Sequence, residues 1–135
     1  MAIAIATYFE HAHVVSTYRA TGKEVTTDSG IKVDGLPVNP NPVELMCMAL
    51  AACGLTVMGK SAEKAGISFE NCRAEVTDIE EDHAEYKLTK VAITFHLKAE
   101  FDDKVRKKME AVVRRACYVA NTMNAERVYT FVYDV

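Results

Sequence analysis

The sequence predicts an α+β fold in which strands wrap two helices. The stretch from Asn41 to Gly66 reads as one long helix, apolar on nearly every side. The segments before and after it favour strands, and the later ones alternate with period two. A second, amphipathic helix follows those later strands. Runs of strands separated by few helices favour α+β over a parallel α/β sheet. With 135 residues, 50% apolar and 26% charged, the chain fits a single domain over 1–135.

Ala2 to Ala20 is rich in Ile, Val, Thr and Tyr, which predicts two short strands broken near Glu10 to Ala12. Thr21-Gly22-Lys23 is a turn, and Glu24 to Thr27 forms a third strand. Ile31 to Asn41 carries two prolines and a glycine, and reads as a loop or short edge strand. In the central helix Asn41 is the N-cap, Pro42 fits the first turn and Glu44 completes a capping box. Lys60 and Lys64 suit the C-terminal dipole, and Gly66 closes the helix. Between Leu45 and Met58 only Gly54 and Thr56 are not apolar, so the helix is expected to be buried. That run is too short for a bilayer, which takes ~20 apolar residues.

Ile67 to Thr77 predicts a long strand, Ile79 to His83 a charged turn, and Tyr86 to Glu100 a second long strand with one face buried. Asp102 and Asp103 open the amphipathic helix. Its apolar stripe is Val105, Met109, Val112, Val113, Ala116, Cys117 and Ala120. Arg127 to Val135 is a terminal strand. One chain of this size struggles to cover a helix apolar on every face, which an intertwined dimer would solve.

A net charge of −3 gives no reason to expect nucleic acid or an anionic membrane as partner. Four cysteines without regular spacing, and no signal-peptide pattern, predict reduced thiols in the cytoplasm. No phosphate loop, GxGxxG, HExxH, GxSxG or CxxC is present. His11 and His13 alternate on a strand, an arrangement more often surface than ligand, and the thiols lie too far apart for a zinc site. No metal and no cofactor are expected.

Cys53 and Cys117 each fall on the apolar side of a helix. Such thiols are either small core hydrophobes or a redox pair, one becoming a sulfenic acid that the other condenses with. Cys47 and Cys72 are expected to be structural.

Asn41-Pro42-Val43-Glu44-Leu45 with Ala49-Leu50-Ala51-Ala52-Cys53 resembles the central-helix motif of the OsmC/Ohr family. Ala116-Cys117-Tyr118-Val119-Ala120-Asn121-Thr122-Met123 resembles its second cysteine motif, and the element order is similar along the whole chain. The resemblance implies antiparallel sheets around a long buried central helix and a second amphipathic helix, in an intertwined homodimer. It implies a thiol peroxidase acting on organic hydroperoxides, with Cys53 peroxidatic and Cys117 resolving. A dithiol reductant, typically lipoyl, is implied too.

The family also implies an arginine beside the first thiol, held by a glutamate. Glu44 matches approximately, but nine residues along an ideal helix, about 900° of rotation, put it opposite Cys53. Arg19 is the only arginine before Arg73, while the expected position falls nearer His13. Tyr118 stands where a proline is common, so the helix is expected to run straight through Cys117. These departures motivate an alternative, an OsmC-like dimer that binds a small apolar ligand at the subunit interface without turnover. A hot-dog thioesterase also wraps a long helix in sheet, but fits less well and gives Cys117 no role.

Overall fold

The computed structural model describes residues 2–135, and the chain divides within the long helix into two compact units, residues up to Met46 and Cys47–Val135.

In the first unit, β1 (Ala4–Tyr8), β2 (Val14–Tyr18) and β3 (Glu24–Thr27) form an antiparallel sheet in that order. The break expected near Glu10 to Ala12 is the β1–β2 turn. His11 and Ala12 occupy it at φ 52° and 58°, the left-handed pair of a tight hairpin, and His13 N–H closes it on the Glu10 carbonyl at 2.9 Å. His11 and His13 therefore lie on the turn and its exit, not side by side on a strand face. β4 (Lys32–Val33) and β5 (Leu36–Pro37) make a short hairpin where a loop or edge strand was expected.

Asp28, between β3 and β4, is buried and organises its loop. Its carboxylate accepts hydrogen bonds from Asn39 Nδ2 at 3.1 Å, Gly30 N–H at 2.9 Å and Ile31 N–H at 3.1 Å. The Asn39 bond first, then the two amides and nearby His13, hold the carboxyl below its ordinary value against the opposing effect of burial.

The long helix α1 (Pro42–Lys64) has the predicted ends. Glu44 N–H donates to Asn41 Oδ1 at 2.8 Å and Asn41 N–H donates to Glu44 Oε1 at 2.9 Å, a complete capping box. Gly66, at φ 71°, closes the other end, with its own N–H on Glu63 O and Ile67 N–H on Ala62 O.

From Cys47 onward the second unit packs α1 with β6 (Arg73–Asp82), β7 (Lys87–Leu97), α2 (Asp103–Arg115), α3 (Tyr118–Thr122) and β8 (Glu126–Tyr133). β6 pairs antiparallel with β7, but β8 pairs parallel with β7. The chain between β7 and β8 runs through two helices, and that crossover is what a parallel neighbour requires. So the antiparallel expectation holds for the other pairings, while this sheet is mixed.

Two boundaries shift. Residues 67–72 form a loop, turned by Asn71 at φ 66°, so β6 begins at Arg73. The expected charged turn is instead strand up to Asp82. Its acidic residues line an edge strand, where Lys90 reaches Glu80 at 3.0 Å and Asp78 at 3.7 Å.

Val91, Ile93, Phe95 and Leu97 of β7 are buried, as the alternation predicted. With them are Leu50 and Met58 of α1 and Met109 and Val113 of α2. The expectation of a wholly buried central helix needs correcting within one chain. Only 28% of the apolar window of α1 is covered, and Met46 and Met48 are 38% and 54% exposed. The covered stripe, from Cys47 through Leu50, Ala51, Gly54 and Met58 to Ala62, is a single helical face. By length and composition the full helix would suffice to cross a membrane. Its run from Leu45 to Met58 is about 21 Å long, short of the ~30 Å hydrocarbon layer.

Candidate functional site: a paired thiol between two helices

Cys53 sits mid-way along α1, half-buried, beside Gly54. The helix tolerates a glycine here because of what lies against it. A Cβ at Gly54 would stand 2.9 Å from Phe95 Cζ and 3.2 Å from Val113 Cγ2. Here α1 packs directly on Phe95 of β7 and Val113 of α2, next to the position that carries Cys53.

Cys117 reaches the same place by a route the sequence did not predict. The helix does not run through it. α2 ends at Arg115, Ala116 caps it at φ −103° and ψ 4°, and Cys117 is extended at φ −84° and ψ 109°. The break needs no proline, because side chains satisfy the groups it frees. Asn121 Nδ2 donates to the Arg115 carbonyl at 3.0 Å, and Asn121 N–H donates to Cys117 O at 2.9 Å. Cys117 itself becomes the N-cap of α3, its Sγ accepting the Ala120 N–H at 3.4 Å.

The Cys117 thiol lies within electrostatic reach of Cys53. Cys117 is fully buried, and burial first, then neighbouring Cys53, push its thiol up from the ordinary value. The Ala120 and Val119 amides oppose this but do not prevail. Cys117 thus keeps its proton. Two neighbouring thiols can form a disulfide if one is oxidised.

Aromatic rings line the sheet side. Tyr129 meets Phe95 edge-on, centroids 5.4 Å apart, and Phe131 stacks on Phe95 at 5.6 Å. The Arg114 guanidinium lies over the Tyr129 and Phe131 rings, at 5.7 and 5.5 Å. Burial and the two thiols push the Tyr129 phenol up, against Arg127 and Arg114. Tyr129 was not singled out from the sequence. The signal was the alternation Tyr129, Phe131, Tyr133, which puts three rings on one face of the terminal strand.

Glu44, His13 and Arg19 all belong to the first unit, each with a local role. Glu44 is the capping-box residue at the start of α1, its carboxylate accepting from Asn41 N–H. His13 packs its ring against Phe9, centroids 6.1 Å apart, and faces Asp28. Arg19 is exposed in the β2–β3 turn, where its N–H holds the Ile3 carbonyl at 3.0 Å. Cys47 is buried. Cys72 is half-buried, its thiol pushed up by burial against the influence of Lys98. Among the described residues no group of three or more His, Cys, Asp or Glu is arranged to hold a metal ion.

Comparison with known proteins gives the family and the fold. The family model of the OsmC-like proteins matches residues 32–130. No curated protein matches the chain. Among solved structures, a Psychrobacter arcticus 273-4 protein provisionally assigned to osmotic-stress induction and detoxification response superposes with a TM-score of 0.82. It is 24% identical, with 98% of this chain and 95% of that one covered. The organic hydroperoxide resistance protein OsmC of Legionella pneumophila gives 0.66 at 18% identity, over 100% and 98% of the two chains. The organic hydroperoxide resistance protein OhrB of Bacillus subtilis gives 0.63 at 17%, over 95% and 96%. At these identities the likeness establishes the fold. With the family match across most of its length, and a thiol pair joining its two helical motifs, the chain belongs to the OsmC-like family.

Proposed function

We propose that this protein is a thiol-dependent peroxidase that reduces organic hydroperoxides. The observation that carries the reading is the asymmetric pair of sulfurs. Cys53 is half-exposed, whereas neighbouring Cys117 is buried and holds its proton. A peroxide reaches Cys53 first. The Cys53 thiolate attacks the distal peroxide oxygen, the O–O bond breaks, and the products are an alcohol and a Cys53 sulfenic acid. Cys117 then attacks the sulfenic sulfur, water leaves, and a Cys53–Cys117 disulfide forms. A small dithiol such as a lipoyl group returns both sulfurs to thiols by exchange, becoming a cyclic disulfide itself. Solved neighbours named for organic hydroperoxide resistance support the substrate class and a role in oxidative-stress defence.

The working form is a homodimer. α1 leaves Met46 and Met48 uncovered, and Ile3, Tyr8 and Phe9 of the first unit are also exposed, apolar surface that a second copy would cover. A reducing, cytoplasmic setting suits four cysteines none of which is in a disulfide.

The test is thiol titration of the purified protein before and after cumene hydroperoxide, with peptide mapping. Two thiols should disappear together, with Cys53 and Cys117 recovered as one bridged peptide. Cys53→Ser should abolish peroxide consumption, and Cys117→Ser should trap the sulfenic acid. Four thiols persisting in excess peroxide would overturn the reading and favour a ligand-binding dimer.

A further inference from the structure

Reducing a hydroperoxide with two thiols releases two oxygens, one as alcohol and one as water, and each must take a proton as it leaves. Cys53 attacks as a thiolate and brings none, while Cys117 carries one. A second donor is required, and Tyr129 is placed to be it. In register with buried Ile93, its ring lies on the helix-facing side of the sheet, edge-on to the Phe95 ring that rests against Gly54, next to Cys53. Its hydroxyl is within electrostatic reach of both sulfurs. The neighbouring Tyr133 has its hydroxyl tied to Glu110 at 2.6 Å, whereas the Tyr129 hydroxyl makes no hydrogen bond with the described residues. It is free to meet a third party.

Resting on the peroxidase reading, we propose that the Tyr129 phenol is the general acid that protonates the departing alkoxide. As the Cys53 sulfur forms its bond to the distal oxygen, the O–O bond breaks and its electron pair stays on the proximal oxygen. The phenol proton passes to that oxygen, alcohol leaves, and the tyrosinate is reprotonated from water. Cys53 is oxidised to the sulfenic acid and the peroxide is reduced. Burial and the adjacent thiols keep the phenol protonated beforehand.

Tyr129→Phe removes the hydroxyl and keeps the ring against Phe95. The assay is stopped-flow oxidation of Cys53 by two oxidants whose leaving groups differ. Cumene hydroperoxide expels an alkoxide, which needs the proton, and peracetic acid expels a carboxylate, which does not. The variant should react about a hundredfold more slowly with cumene hydroperoxide, the size of a general-acid contribution, and nearly normally with peracetic acid. Equal slowing with both would mean the tyrosine only shapes the site, and no slowing with either would mean it is idle. Either result overturns the proposal and leaves the peroxidase reading standing. A wild-type protein whose Cys53 reacts with neither oxidant overturns both.

Discussion

Replacing Gly54 by alanine sets two effects of known size against each other. Alanine in the middle of a helix is favoured over glycine by ~1 kcal/mol. Against this, the new methyl would stand 2.9 Å from Phe95 Cζ, 3.0 Å from Phe95 Cε1 and 3.2 Å from Val113 Cγ2. Phe95 cannot swing aside, because it is fully buried between the Tyr129 edge and the Phe131 face. Overpacking of such a site costs about 1–3 kcal/mol, so the net expectation is a loss of roughly 1 kcal/mol. Gly59 supplies the internal control on the same helix. A Cβ there would meet Phe69 Cδ2 at 3.4 Å, an ordinary contact, so Gly59→Ala should gain about 0.5–1 kcal/mol. Thermal melts at matched protein concentration, where 1 kcal/mol is worth about 3–4 °C, should place the two variants on opposite sides of the wild type. Gly54→Ala melting as high as Gly59→Ala would refute the idea that Gly54 is there for close approach.

The β1–β2 turn holds Ala12 at φ 58°, a conformation costing an L-residue about 1–2 kcal/mol, so Ala12→Gly should raise the melting temperature by a few degrees. Asp28 has its carboxyl held low by Asn39 and two amides, so its contribution is fully present above the unfolded value near ~3.9 and fades as pH falls through the lower folded value. The urea midpoints of wild type and Asp28→Asn should therefore differ at neutral pH and converge in acid; a gap constant with pH would show that the charge is not what matters.

Much of this fold is legible because local signals agree with one another. The ends of α1 follow from Asn41, Pro42, Glu44 and Gly66 alone, since capping is a local matter of which side chain satisfies which amide. The β7 pattern is legible for the same reason, one face being buried and the period being two. Direction of pairing is not local. Nothing in the residues of β8 says parallel; that follows from the crossover through α2 and α3. Nor does apolarity all round α1 reveal that one chain covers a single face, because a core helix and an interface helix have the same composition.

At the site, the motifs locate both sulfurs but misplace the second helix. The stripe from Val105 to Ala120 keeps helical period across the break, so periodicity alone predicts one continuous element. What interrupts it is a set of hydrogen bonds, Asn121 reaching back to Arg115 and Ala120 N–H reaching Cys117 Sγ, and these do the work expected of a missing proline. The consequence is chemical as well as geometric. An unbroken helix would spend the Cys117 amide on the regular ladder and leave its sulfur on the stripe as one more apolar knob. The break lets the Cys117 thiol cap α3, and burial holds that thiol above its ordinary value. Where the backbone stops being helical is thus set by the side chains of Asn121 and Cys117 together, through bonds that periodicity does not report.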